Sequence, residues 1–165
     1  MDSIISKNYS KIQKFDVSRE TCNDLESLIS MIQKKNEEIN IISKKTSDKE
    51  AIRQRHIIDS VQIVDFIDLN CNTTCDLGSG GGMPGLIMAI LMKKLKKSMQ
   101  IKLYEKSYHK CAFLKDVSEK LELNTEIIQK DIFKIKNIET GTIMSRAFKP
   151  MPIILDLVQE NFQKY

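Results

Sequence analysis

The sequence predicts an α/β fold, a mostly parallel sheet with helices on both faces, preceded by a helical extension. Three observations carry this. Up to about residue 70 the apolar side chains recur at helical spacing and no strand-like run occurs. From Thr73 onward, short β-prone runs alternate with amphipathic stretches, the pattern of β-α-β units. The first of those strands runs straight into a glycine cluster and then an apolar helix, over Thr73–Leu95.

Taken in order, Ile4, Ile5, Tyr9 and Ile12 predict a short helix within residues 1–14. Ser18 is a candidate cap for a second helix, in which Cys22, Leu25, Leu28, Ile29 and Ile32 form one apolar stripe. Ile39, Ile41 and Ile42 fall in a connecting run. Ser47-Asp48-Lys49-Glu50 reads as a capping box opening a third helix, periodic to about residue 68 through Ile52, His56, Ile57, Ser60, Ile63, Val64 and Ile67. The expected organisation is a helical extension over residues 1–70 and a sheet domain over 71–165. In the latter, strands are expected at Thr73–Leu77, Gln100–Tyr104, Glu126–Gln129 and Gly141–Ser145. Helices are expected at Gly85–Lys96, Tyr108–Leu121 and Met151–Phe162. In such a sheet a ligand lies at the carboxyl ends of the strands.

Composition narrows the class. The chain has 165 residues, 41% hydrophobic and 29% charged, enough for one buried core. No stretch approaches the ~20 apolar residues of a membrane span, and no basic-then-apolar leader opens the sequence, which leads to an expectation of a cytoplasmic protein without membrane contact. A net charge of +4 is compatible with a polyanionic partner. The cysteines at 22, 71, 75 and 111 have no nearby histidine to complete a tetrahedral set, so reduced thiols and no metal are expected.

The glycine loop carries the chemistry. Gly80, Gly82 and Gly85 satisfy the dinucleotide pattern G-x-G-x-x-G, but Asp76 precedes the first glycine of Asp76-x-Gly78-x-Gly80-x-Gly82. A carboxylate pointing into the turn suits the ammonium of an amino-acid ligand and repels a pyrophosphate. Glu105, at the end of the second strand, stands where an acid accepts both ribose hydroxyls. Together these residues favour S-adenosylmethionine over a dinucleotide. Lys93, Lys94, Lys96 and Lys97 read as a solvated helix end, whereas His109 and Lys110 open a helix beside the ligand edge and are the better candidates for RNA contact.

At this point the residues resemble a known family, the small-subunit ribosomal RNA guanine-N7 methyltransferases of the glucose-inhibited division protein B type. Asp76-Leu77-Gly78-Ser79-Gly80-Gly81-Gly82-Met83-Pro84-Gly85 is similar to its D-x-G-[ST]-G-x-G-[FLM]-P-G. Ile39–Ser43, Arg55–Ser60, Glu105-Lys106-Ser107 with Lys110 and Phe113-Leu114, and Ser145-Arg146-Ala147-Phe148 resemble four further segments. The resemblance implies a Rossmann-like class I methyltransferase that uses S-adenosylmethionine, with 16S ribosomal RNA or the small ribosomal subunit as partner. It implies that Gly78, Met83, Ile132, Phe133 and Arg146 contact the cofactor or line its pocket. Asp131, Phe133 and His109 depart from the commoner family pattern.

Guanine N7 carries an in-plane lone pair and needs no deprotonation, so no general base is expected, and catalysis should come from orientation and cationic groups. Arg146 is the candidate catalytic residue, holding the target base or its phosphate; an ion pair with Asp76 or Glu105 is the alternative. His56 and Asp59, one turn apart, are expected to support the glycine loop. A sheet of this class usually continues for on the order of 45 residues past its fourth strand. The C-terminal strands are therefore expected to be missing, leaving the fourth strand as an uncovered edge open to self-association. Two other classes stay open: a dinucleotide-dependent oxidoreductase, opposed by Asp76, and a catalytically impaired fragment or RNA-binding assembly protein that retains the fold.

Overall fold

The computed structural model describes residues 17–163, so the helix expected within residues 1–14 lies outside the described residues. Helix α1 is Arg19–Glu38, and the Ser18 hydroxyl caps it by accepting from the Thr21 N–H at 3.1 Å. Its buried face is the expected stripe of Cys22, Leu25, Leu28, Ile29 and Ile32. Asn36 then ends the helix compactly, its side-chain oxygen accepting from the Ile41 and Ile42 N–H groups at 2.8 and 3.0 Å. Both isoleucines are thereby turned into the core.

The third helical run starts one residue later than the capping box suggested. Asp48, not Ser47, is the cap, accepting from the Ala51 N–H at 2.9 Å, while the Ser47 hydroxyl donates to the Lys44 carbonyl. This run, α2, comprises an α turn Lys49–Ile52, a π segment Arg53–Ile58, an α turn Asp59–Val61 and a 3-10 end Gln62–Phe66. The extra residue in the π segment shifts the helical phase, so that the adjacent Ile57 and Ile58 are both buried. Arg53 is buried as well and clasps α1 through Glu26, at 2.8 and 3.0 Å, and Glu50 within its own run.

Strands β1 (Thr73–Leu77), β2 (Gln100–Tyr104), β3 (Thr125–Ile128) and β4 (Thr142–Ser145) form one parallel sheet in the order β3-β2-β1-β4. Helices α3 (Gly85–Leu95), α4 (Tyr108–Lys120) and α5 (Met151–Asn161) complete the described elements. Against expectation, β3 begins one residue earlier, because Thr125 already pairs with Ile101, and β4 begins one residue later. Each helix of this half ends one residue short, where backbone caps close it.

The core forms on both sheet faces. On one face Ile101, Leu103 and Met144 pack with the apolar sides of α1, α2, α3 and α4. On the other, Cys75, Leu77 and Tyr104 pack with Ile132, Ile138, Leu157 and Phe162. The first cluster spans the helical run and the sheet, and Lys93 reaches from α3 to Asp24 of α1 at 2.8 Å. Helix α5 buries Leu157 but leaves Met151, Ile153 and Leu155 exposed. Strands β2 and β3 lie to one side of β1 and β4 to the other, so the chain changes direction at the carboxyl end of β1, where open α/β sheets place their ligands.

Close packing at the start of α3 makes a test of this frame. A Cβ at Gly85 would run into Leu103 and the Asp76 carboxyl. Gly85→Ala is therefore expected to destabilise the fold by about 1–3 kcal/mol, measured as a lower midpoint in urea denaturation.

Candidate active site

The turn after β1 is held at several points. The Gly78 and Ser79 N–H groups both donate to the Tyr104 carbonyl at 3.0 Å, carrying the β1–β2 pairing past the strand end. Gly82 N–H donates to the Ser79 carbonyl at 2.7 Å, which closes the turn. Gly78 and Gly80 have φ of +71° and +55°, the left-handed region that costs glycine nothing. A Cβ position at Gly80 meets only the Gly78 carbonyl, at an ordinary contact distance of 3.7 Å, so the backbone there is uncrowded by side chains. At Gly81 the loop rests on Ile41, which links the Ile39–Ile42 connection to the site.

A cavity of about 520 Å³ opens on this loop at the carboxyl ends of the strands. Its floor is Gly78, Ser79, Gly80, Gly81 and Met83; the exit of β2 supplies Tyr104, Glu105 and Lys106, and α4 supplies Lys110. The exit of β3 contributes Lys130, Asp131, Ile132 and Phe133, that of β4 contributes Arg146 to Lys149, and α2 contributes His56. Five cationic side chains, Lys106, Lys110, Lys130, Arg146 and Lys149, face two acids, Glu105 and Asp131, an imbalance that favours a polyanion at the rim.

The structure brings together Gly78, Gly80, Met83, Glu105, Lys110, Ile132, Phe133 and Arg146 of the residues singled out in the sequence. It does not bring Asp76, Gly82 or His109 to the cavity wall. Gly82 is a packing position, since a Cβ there would run into Leu86 and Leu114. His109 is exposed and edge-on to Tyr108, on the part of α4 turned to solvent. Asp76 lies beneath the loop, fully buried, its Oδ2 accepting from the Gly85 N–H at 3.1 Å and its Oδ1 without a hydrogen bond. Burial pushes this carboxyl up to about 7, so it is a tether for α3 and not a carboxylate offered to a ligand's ammonium.

Glu105 does reach the cavity. Its Oε2 accepts from the Gly80 N–H at 2.9 Å and its Oε1 from the Ser107 N–H at 2.8 Å. The carboxylate is thus locked in orientation, with lone pairs left on both oxygens for a diol. Asp131 caps the short 3-10 turn Ile132–Lys134 through the Phe133 N–H at 3.2 Å, which sets Ile132 and Phe133 as an apolar wall. A bare glycine backbone, a fixed carboxylate and an apolar wall fit the amino-acid, ribose and adenine parts of S-adenosylmethionine.

Arg146 pairs with neither Asp76 nor Glu105. It turns to α2, where its Nη2 donates to the Arg55 carbonyl at 2.6 Å and lies 3.4 Å from Asp59 Oδ2, and its Nη1 donates to the Ser60 hydroxyl at 3.5 Å. His56 stands beside it. The Thr46 hydroxyl donates to the Ser43 carbonyl, so His56 Nε2–H must be the donor to Thr46 Oγ1 at 3.2 Å, and Nδ1 is a buried lone pair without a partner. Burial and the Arg146 charge push the imidazole down, keeping it neutral. Helical periodicity put His56 among loop supports; that it faces the cavity follows from the π segment, which the sequence pattern does not reveal. Lys130, Lys149, Tyr104 and Phe148 were likewise missed, although Phe148 stands within the Ser145–Phe148 motif.

Among the described residues no His, Cys, Asp and Glu side chains gather as a metal site, and all four cysteines are free. No helix of the described residues is long and apolar enough to cross a membrane. Two of the lysines at the end of α3 are engaged elsewhere: Lys93 also donates to the Leu121 carbonyl at 3.0 Å, and Lys96 to the carbonyls of Leu69 and Cys71.

A parallel sheet that changes direction at a glycine loop, with a carboxylate at the exit of β2 facing the cavity, has the architecture of a Rossmann-like class I methyltransferase. The family model described as rRNA small subunit methyltransferase G matches residues 21–164. Proteins called ribosomal RNA small subunit methyltransferase G are similar to the chain. That of Pelagibacter ubique is 54% identical over 161 residues, which is 98% of this chain and 76% of the relative. That of Bartonella henselae is 40% identical over 89% of this chain and 69% of the relative, and that of a Jannaschia species 32% over 82% and 63%. The chain belongs to the rRNA small subunit methyltransferase G family.

The buried carboxyl provides a pH test. With its folded value near 7 and an ordinary value of 3.8, Asp76 favours the folded state below pH 4, and that contribution is lost as pH rises toward 7. Relative to wild type, Asp76→Asn is expected to gain stability between pH 4 and 7 by up to ~4 kcal/mol, at 1.36 kcal/mol per pH unit, read from urea denaturation across that range. The His56 contribution has the opposite slope and cancels in the difference.

Proposed function

We propose that this chain transfers a methyl group from S-adenosylmethionine to N7 of a guanine in 16S ribosomal RNA. The observation that carries the reading is the meeting of the glycine loop, Glu105 and Arg146 in one cationic cavity, in a chain of this family. In this reading the helical extension over residues 1–70 supports a methyltransferase domain over 71–165, and the protein works in the cytoplasm on RNA or the assembled small subunit.

S-adenosylmethionine, when bound, would supply an electrophilic methyl carbon for the N7 lone pair and a neutral thioether as leaving group. The residues of the chain orient and neutralise. The backbone of Gly78 and Gly80, with Met83, takes the amino-acid end; Glu105 takes the ribose hydroxyls; Ile132 and Phe133 flank the adenine. Arg146 holds the target guanine or its phosphate, released for that purpose from the Arg55 carbonyl and Asp59. Lys110, with Lys106, Lys130 and Lys149, binds backbone phosphate at the rim. His109, exposed at the start of α4, belongs with these outer contacts if RNA runs over that helix. No side chain accepts a proton, since N7 has none to lose.

Isothermal titration and a methyl-transfer assay on small-subunit RNA test this. Wild type is expected to bind S-adenosylmethionine saturably and not NAD. Gly78→Asp should abolish that binding, because a Cβ at this left-handed position would run into the Phe148 ring and distort the floor of the cavity. Arg146→Ala should leave cofactor affinity within a few-fold and lower methyl transfer by about 100-fold, the scale of losing one oriented charged contact at the reacting centre. Cofactor binding with no transfer to small-subunit RNA or subunits would leave a non-catalytic RNA-binding protein of the same fold.

A further inference from the structure

One aromatic side chain of the cavity has no part in the reading above. Strand β4 ends at Ser145, whose hydroxyl donates to the Leu77 carbonyl at 3.2 Å, and the chain then leaves strand geometry at Ala147, which has φ of +50°. That left-handed conformation is uncommon for a residue with a Cβ, and such backbone concentrates at functional sites. Its consequence is the placement of Phe148. The ring lies directly on Gly78, where a Cβ could not coexist with it, and its centroid is 6.1 Å from that of Phe133 with the planes tilted by 32°. The ring is half-buried, packs at the margin of the apolar cluster of Cys75, Leu77, Tyr104 and Ile132, and lines the cavity together with Arg146 and Lys149.

An aromatic ring beside the glycine loop in a cavity lined by cations is the combination that binds an unpaired nucleotide: the ring stacks the base and the cations hold its phosphates. Phe133, the neighbouring ring, comes from a different element, next to Ile132 at the exit of β3, and belongs to the wall assigned to adenine. Phe148 has no polar atom, so it contributes stacking and no hydrogen-bond readout.

We propose that Phe148 is the residue on which the target base stacks, the ring holding the base at the glycine loop beside the cofactor. This rests on the reading of the site as an RNA methyltransferase. A purine taken out of its helix exposes two faces, and a stacking ring offsets part of that cost. Arg146 and Phe148, two residues apart at the end of β4, then divide the work: one binds charge, the other an aromatic face.

The test uses the full chain saturated with S-adenosylhomocysteine and a single-stranded RNA oligonucleotide containing 2-aminopurine, whose fluorescence falls on stacking. Wild type and Phe148→Tyr are expected to quench the probe; Phe148→Leu should not, while binding S-adenosylmethionine within a few-fold of wild type. Methyl transfer to small-subunit RNA by Phe148→Leu should fall by about 10-fold or more in kcat/KM, the scale of one base–aromatic stack, and be restored by Phe148→Tyr. Quenching by Phe148→Leu equal to wild type would overturn the proposal, as would a loss confined to cofactor affinity. If wild type quenches the probe through Phe148 but transfers no methyl, base stacking stands and the methyltransferase reading falls. If wild type methylates and Phe148→Leu is indistinguishable from it, the methyltransferase reading stands and Phe148 has no such role.

Discussion

Two carboxyl groups hold the glycine loop in place, and the site depends on them. Asp76 tethers the Gly85 N–H at the start of α3, and Glu105 tethers the Gly80 N–H from the end of β2. Glycine-rich backbone has the most conformational freedom to lose on folding, so a loop of this composition needs such ties to present one shape to a ligand. The two acids do this in different surroundings. Asp76 is sealed under the loop and pushed toward neutrality by burial, whereas Glu105 keeps a face in the cavity.

The helical run before the sheet is part of the same construction. Ile41 packs under Gly81, and the π segment of α2 offers the Arg55 carbonyl to Arg146 with Asp59 and Ser60 close by. A π turn releases carbonyls from regular pairing, which is why one is available to a guanidinium from β4. His56, on the same turn, is kept neutral by burial and by the charge of Arg146. The cavity is therefore closed by an element that lies outside the sheet in sequence but shares its core.

Cationic side chains converge on the rim from three strand exits and α4. The exposed apolar residues of α5 and the edge strand β4 lie in the same half of the chain as the Arg146–Phe148 turn. Relatives of this family extend beyond the length matched here, the chain spanning 63–76% of the three described. The glycine loop and the cavity on it lie within the described residues.

Much of this protein was legible in its sequence. Periodicity located α1 and its buried stripe, alternation located the strands, two of them to the residue, and the run from Asp76 to Gly85 marked the strand–turn–helix. These features depend on neighbours within a few positions, and local backbone preference and side-chain spacing determine them. The destinations of individual side chains did not follow from the same pattern. Asp76 looked like a ligand group because its place before the glycines says nothing of burial, and the alternative of an Arg146 ion pair with Asp76 or Glu105 stayed open because the π segment that holds Arg146 lies 91 positions away. The ring of Phe148 came to rest on Gly78 through a left-handed turn that no pattern marks at an alanine. Local spacing determined the elements and the loop; only the packing of distant segments decided which polar groups face the cavity, because burial and pairing are set by whatever the fold brings alongside.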